Sequence, residues 1–196
     1  GDWKEGSIKS QLTIRLEDEE SKINLNHASA SFLSAFFKEF ESEYGSLKGD
    51  RKKYIQAILK LRYEKRIVSL EELLFMEDFK AEDLASLKPY LTVYPELPLT
   101  NLNTASPLIL RALIASLGAD HGSKRMLVER LEEACEKGGC FFRDYDLKPA
   151  AFAEKLKLPK TPIMMQAIQE FVTVLTLDSQ TFRLFMKTKD GVEASG

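Results

Sequence analysis

Long apolar runs, cysteine and histidine are all scarce in this chain. Its 196 residues include two cysteines, two histidines and one tryptophan. The longest stretches without Asp, Glu, Lys or Arg are residues 23–37 and 97–110, 15 and 14 residues long, and both contain Asn and Ser. A helix needs about 20 mainly apolar residues to cross a bilayer, so neither stretch can do so. Gly1 does not open a recognisable signal peptide. The expectation is a natively soluble chain, or one whose export and anchoring segment has been cut away. Neither sign of charge dominates: Lys+Arg 28 against Asp+Glu 30 leaves a net charge of −2. That excludes a nucleic-acid binder relying on bulk phosphate attraction, though not a local basic patch.

Catalytic chemistry has little to rest on. His27 and His121 lie far apart, and neither has the spacing of a metal ligand or a nucleophile's base. No glycine-rich phosphate loop, Ser/His/Asp set or paired-carboxylate motif occurs, so no enzymatic activity and no metal site is expected. Cys135 and Cys140 stand in Cys-Glu-Lys-Gly-Gly-Cys. They are too few for a four-ligand zinc site, while the glycine-containing spacer permits a disulfide in an oxidising compartment.

What the chain does contain is a repeat. Asn24-Leu25-Asn26-His27-Ala28-Ser29 recurs 77 positions later as Asn101-Leu102-Asn103-Thr104-Ala105-Ser106. Leu33 and Leu110, and Ala35 and Ala112, continue the match in register. Each copy sets short polar residues ahead of an apolar helical run. Asn and Ser suit that place because their oxygens accept from the unpaired N–H groups of a first turn. Ser106-Pro107 adds proline where a helix loses no bond to it. Asn26 and Asn103 are therefore expected within a residue or two of a helix start, with their side chains bonded to backbone.

The period of hydrophobicity changes twice. Leu12, Ile14 and Leu16 alternate with polar residues, as in a half-buried strand. A helical period then predicts helices over 28–44, 50–64, 69–76, 81–87, 107–117, 123–137, 148–156 and 162–170. Ser69 and Glu72 fit a capping box, and Thr161-Pro162 repeats the Ser106-Pro107 device. Residues 171–177 are β-rich, Asp178-Ser179-Gln180 is a plausible turn, and Phe182, Leu184 and Met186 alternate again. Asp190-Gly191 signals a hairpin before a short or truncated last strand. Terminal strands leave unpaired ladders unless they pair with each other. The expected architecture is thus α+β, with residues 1–20 and 171–196 forming a small antiparallel unit and residues 21–170 an inserted α-helical domain.

Residues 18–26, Asp-Glu-Glu-Ser-Lys-Ile-Asn-Leu-Asn, resemble the DE-x-x-K-I-N-L-N segment of the general secretion pathway protein K family, the large minor pseudopilins of type II secretion systems. Residues 62–73 and 84–94 are similar to that family's "eL..l.pyltvy" stretch. Asn101 to Ala105 resembles its second Asn-rich segment, and Ser179 with Phe182-Arg183-Leu184 its closing strand. The interval 45–66 lacks the tryptophan-, aspartate- and Gly-Ala-Glu-bearing segments usual there, and the hydrophobic N-terminal helix is missing, as in a soluble periplasmic fragment.

The resemblance implies a pilin-like α/β unit with a helical insert on the periplasmic face of the bacterial inner membrane, reaching the membrane only through that missing helix. It implies assembly with minor pseudopilins of the I and J types at a pseudopilus tip, initiating or capping the filament, and contact with secreted cargo or an outer-membrane channel. It also makes bound calcium conceivable, with the acidic run Glu17 to Glu20 as the residues to ask; otherwise that run reads as a solvated acidic turn.

A second resemblance is an alternative. Ile23-Asn24-Leu25-Asn26-x-Ala28, with Ala57-Ile58 and Arg62, is similar to the helix-hairpin-helix modules of DNA-uptake receptors, which bind phosphate through hairpin N–H groups. Both corresponding loops here, 43–50 and 118–122, carry an acidic residue and have their glycines spread apart. The basic run Arg51-Lys52-Lys53 reads as a solvated face. The spacing of Phe32, Phe36, Phe37 and Phe40 reads as helical core rather than a platform for bases. Nucleic acid is therefore not the favoured partner.

Overall fold

The computed structural model describes residues 12–94, 96–136, 141–188 and 193–195. Strand β1 (Leu12–Asp18) leads through a 3-10 turn (Glu19–Ser21) into a short strand β2 (Ile23–Asn24). Helices α1 (Ala30–Tyr44) and α2 (Arg51–Glu64), a 3-10 segment (Leu70–Phe75), helix α3 (Ala81–Leu87) and strand β3 (Leu91–Thr92) complete a first block. A second block opens with β4 (Thr100–Asn101), continues through α4 (Pro107–Ser116), α5 (His121–Glu136), α6 (Pro149–Lys155) and α7 (Pro162–Val172), and closes with β5 (Leu175–Thr176). Strands β6 (Phe182–Thr188) and β7 (Glu193–Ser195) follow.

The terminal strands do find each other. β1 and β6 pair antiparallel from Leu12↔Thr188 to Asp18↔Phe182, and β7 adds to β6, giving the order β1-β6-β7. The architecture is α+β: a small antiparallel sheet with a large helical insert. The insert is itself two blocks closed in the same way. In the first, β2 and β3 run parallel, Asn24 opposite Thr92; in the second, β4 and β5 do so, Asn101 opposite Thr176. The next amide bonds across in both: Leu25 N donates to Thr92 O at 2.9 Å, and Leu102 N to Thr176 O at 3.0 Å. The sequence repeat is a repeat of structure.

The first helices of the two blocks, α1 and α4, pack on each other, with α2 against α1 and α5 against α4. α1 turns Leu33, Phe36, Phe37 and Phe40 inward at helical spacing, while Leu110, Leu113 and Ile114 of α4 are equally buried. Arg111 of α4 ties three helices, bonding Glu43 of α1 and Glu132 of α5 (3.0 Å). Ser29 and Ser106 cap these helices by accepting from Phe32 N and Ile109 N. Gly45 ends α1 at φ +93°, a conformation that strains residues with a Cβ.

Three expectations need correction. Residues 69–76 do form a capping box at Ser69 and Glu72, but the segment is 3-10 rather than α. Phe171 and Val172 are not strand residues. They prolong the buried face of Met164, Ala167 and Ile168 by one turn, so burial along α7 outweighs their β preference. The short strand that follows, β5, belongs to the helical insert, so residues 171–177 lie outside the terminal sheet, and Asp178-Ser179-Gln180 joins strands of different sheets. Asp190 and Gly191 lie outside the described residues.

Cys135 stands in the last turn of α5, and Cys140 lies outside the described residues. The Cys135–Cys140 bridge is a prediction for protein folded in an oxidising compartment. Thiol titration of the unfolded, unreduced chain should find no reactive thiol; two would reject the bridge. So short a loop should contribute only modest stability.

Candidate functional site

Each Asn-Leu-Asn segment divides its work among three residues. The first Asn makes an Asx turn: Asn24 Oδ1 accepts from Asn26 N at 3.0 Å, and Asn101 Oδ1 from Asn103 N at 2.9 Å. The second Asn clamps a distant backbone with both ends of its amide. Asn26 Nδ2 donates to Ile67 O and its Oδ1 accepts from Ile67 N, both at 2.9 Å. Asn103 treats Phe142 identically, at 3.0 and 2.8 Å. Asn26 also donates to Val93 O. Capping is left to Ser29 and Ser106. Asn26 and Asn103 thus sit three residues ahead of the cap, farther from the helix start than expected, because their partners are loops rather than first-turn amides.

The acidic run from Glu17 to Glu20 is not solvated. Glu19 and Glu20 are buried. Asp18 Oδ1 accepts from Glu20 N, while its Oδ2 takes Ser179 Oγ (2.5 Å), Asn101 Nδ2 (3.3 Å) and Thr104 Oγ1. Glu19 accepts from Thr92 Oγ1 and from the buried Lys22 Nζ at 2.9 Å, with Arg183 Nε 3.5 Å away. Glu20 accepts from Gln180 N and Thr181 N at 3.2 and 3.1 Å. Glu17 pairs with Lys22 and Arg15. Partial burial of Glu17 works against its charge, but Lys22, Arg15 and Arg183 outweigh it and hold the carboxyl below its ordinary range. Four carboxylates spent on protein donors leave no open oxygen cage. The residues do not fit a calcium site here, and among the described residues no group of three His, Cys, Asp or Glu side chains is arranged for a metal.

The two hairpin loops matter for the alternative reading. Lys48 N and Gly49 N both point at one carboxylate, that of Asp83 in α3, at 3.0 and 2.9 Å. Tyr54 Oη donates to the same group at 2.6 Å and accepts from Lys80 N. A Cβ on Gly49 would fall 2.0 Å from Tyr54 Oη, so glycine is required for this approach. Tyr54 is fully buried, stacked on Phe79, and its hydroxyl is pushed up to about 12 by burial and by the bond to Asp83. Burial of Asp83 opposes its ionisation, yet the three donors outweigh it and hold the carboxyl below its ordinary 3.8. In the second loop Gly118 N donates to Glu170, and Ser123 N to Asp120. Lys48 N and Gly49 N in the first loop and Gly118 N in the second thus already hold the protein's own carboxylates.

The other residues singled out from sequence have plain positions. His27 and His121 are exposed. Arg51 pairs with Glu41 and Lys53 with Asp78, each at 2.8 Å, so the basic run is largely neutralised. Phe32, Phe36, Phe37 and Phe40 are core. No helix among the described residues is long and apolar enough to cross a membrane. One face of the terminal sheet does stand out. The pairing Ile14↔Met186, Leu16↔Leu184 sets these residues on one side, where Ile14, Leu16 and Phe182 are more than half exposed.

The fold is that of a pilin-like sheet unit carrying a helical insert. It matches a solved chain from "The Crystal Structure of the GspK-GspI-GspJ complex from enterotoxigenic Escherichia coli Type 2 Secretion System", with a TM-score of 0.62 and 14% identity over 95% of this chain and 73% of that one. No protein-family model and no curated protein sequence matches the chain.

Two outcomes follow from the clamps and the loop. Asn26→Ala and Asn103→Ala each strand a buried backbone N–H and C=O, and should each cost about 2–3 kcal/mol in urea unfolding. Equal losses would mark the two as structural equivalents. Asp83 contributes stability that is present above its unfolded pKa and lost as pH falls through its depressed folded value. The wild type should therefore lose part of its advantage over Asp83→Asn only below about pH 4, which acid unfolding of both proteins measures.

Proposed function

We propose that the chain is a non-enzymatic minor pseudopilin that assembles with other minor pseudopilins, of the I and J types, at the tip of a type II secretion pseudopilus. It would work at the periplasmic face of the inner membrane, starting or capping the filament for protein export. Secreted cargo or the outer-membrane channel would be further contacts. Membrane attachment would fall to the hydrophobic N-terminal helix that the family resemblance implies. The observation that carries the proposal is the match of fold along 95% of the chain to a subunit of the GspK-GspI-GspJ complex, reached independently of the Asn-Leu-Asn resemblance.

The surface is in keeping with assembly. Specific protein interfaces bury on the order of 1,200–2,000 Å² in total, and the sheet presents Ile14, Leu16 and Phe182 together to solvent. A DNA-binding role has weaker support, since the hairpin amides are occupied by Asp83 and Glu170. The test is to mix the purified chain with I- and J-type minor pseudopilins, and separately with duplex DNA. A complex with the pseudopilins stable at about micromolar concentration is expected on size exclusion. DNA binding that weakens steeply with salt, without pseudopilin binding, would overturn the proposal.

A further inference from the structure

The internal repeat has one position that is filled in the first block and open in the second. In the first, Arg62 of α2 reaches back to the Asn-Leu-Asn segment, where its Nη1 donates to Ala28 O at 2.6 Å and to Leu25 O at 3.3 Å. Both carbonyls lie ahead of α1 and outside its ladder, since Phe32 N is taken by Ser29 Oγ. The second block repeats this arrangement with Ile109 N and Ser106 Oγ. The corresponding carbonyls there are Leu102 O and Ala105 O, and neither accepts a hydrogen bond among the described residues. Counted from Asp50 and Asp120, whose carbonyls receive Tyr54 N and Lys124 N, the place of Arg62 is taken on α5 by Glu132.

A cleft of about 430 Å³ opens at that place, between α4, α5 and the Asn-Leu-Asn segment. Leu102 and Ala105 line it, with Leu110 and Ile114 from α4 and Val128 and Leu131 from α5, so its walls are largely apolar. Its charged groups are acidic in excess. Arg111 lines the cleft but is shared among Glu132 at 3.0 Å, Glu39 at 3.6 Å and Glu43. Glu136 lines it as well and has no cationic partner among the described residues. The neighbouring cations are committed elsewhere: Arg125 to Glu129, Arg130 to Glu133, and Lys155, beside the clamped Phe142, to Asp146.

Backbone acceptors withdrawn from bulk water cost free energy while they stay unpaired. A guanidinium on its apolar stem supplies what this cleft lacks, with methylenes for the walls and a fork of N–H donors for the clustered oxygens. We propose that the cleft receives the side chain of an arginine carried by a partner protein, in the position that Arg62 fills in the first block. Its guanidinium donates to Leu102 O and Ala105 O and balances Glu132 and Glu136, while its stem lies along Leu110, Ile114 and Leu131. The volume is within the range of clefts that enclose small ligands. The proposal does not depend on the assembly described above and can fail separately from it.

The probes are acetyl-Gly-Arg-Gly-amide and its citrulline counterpart, which keeps the stem and shape of arginine without the charge, titrated into the ¹⁵N-labelled chain at low ionic strength. The Arg peptide should shift the amide resonances of Leu102, Ala105 and Leu131 with a dissociation constant on the order of 1 mM, and the citrulline peptide should bind about tenfold more weakly. Glu136→Gln should weaken the Arg peptide about threefold and leave the citrulline peptide unchanged. Arg62→Ala should open the sister site, so that the Arg peptide also shifts Leu25 and Ala28; a folded variant without those shifts would break the equivalence, and the wild-type titration decides if the variant folds poorly. Equal binding of the two peptides to the wild type, shifts confined to other surfaces, or no saturable binding up to about 20 mM would overturn the proposal. Binding that appears only in Lys137→Ala would mean that the chain fills the cleft itself, and would overturn it equally.

Discussion

Two buried carboxylates and a half-buried third meet at one turn and tie the terminal sheet to the helical insert. Burying an ionised carboxyl costs several kcal/mol unless donors replace its hydration. Asp18, Glu19 and Glu20 are supplied from every part of the chain that meets there. Asp18 receives Asn101 and Thr104 from the start of the second block, and Ser179 from the segment before β6. Glu19 receives Thr92 from the end of the first block and Lys22 from the turn beyond β1. Glu20 takes two amides just before β6. Removing any one of these elements would leave an uncompensated charge in a poorly polarisable surrounding, where unpaired groups are costly. Sheet and helical insert are therefore coupled, although the insert has its own core.

Within the insert, symmetry of backbone does not extend to symmetry of side chains. Both blocks use an Asx turn, an Asn amide clamp and a Ser cap in the same order, and both close by a two-residue parallel pairing. They differ in what fills the hairpin loop. The first loop donates two amides to the buried Asp83, with Tyr54 as a third donor. The second donates one exposed amide, Gly118 N, to Glu170, while its own Asp120 accepts from Ser123 N in the first turn of α5. An external anion at either loop would have to displace a covalently tethered carboxylate at high effective concentration, and would meet its repulsion. A helix pair that resembles a phosphate-binding module can in this way persist as pure packing.

Much of the architecture was legible from periodicity. α3 falls on the predicted residues, and α1, α2 and α4 to α7 lie within two residues of expectation at nearly every boundary. The failure at Phe171 and Val172 has a physical reason: Val and Thr favour strands only in a context that buries them in one, and here α7 offered a ready apolar face. The 77-residue repeat was visible, but the roles of Asn26 and Asn103 were not. Their partners, Ile67 and Phe142, are 41 and 39 residues away, and no local rule reaches that far. The acidic run misled for the same reason. Locally it reads as a solvated turn, and only long-range donors turn it into a buried knot. Asp83 left one trace, being charged yet set on the apolar side of its helix with Leu84 and Leu87, which share its burial.

The division between what is tied and what is left open bears on function. Helical surfaces are occupied inward by aromatic and aliphatic packing, and outward by pairs such as Arg51–Glu41 and the Arg111 bridges, with Tyr63, Phe75 and Ile163 exposed at separate places. The sheet gathers its exposed apolar residues on one face. Its register places Ile14 and Leu16 opposite Met186 and Leu184 on one face, while the other face carries Arg15, Glu17 and Arg183 toward the acidic turn. Because the pleat has period two, both properties follow from one register, and a slip by one residue would exchange them. The knot at Asp18 to Glu20 fixes that register, since Glu19 N also bonds Thr181 O at the end of the ladder. The carboxylates of this turn therefore decide which face of the sheet is apolar and open.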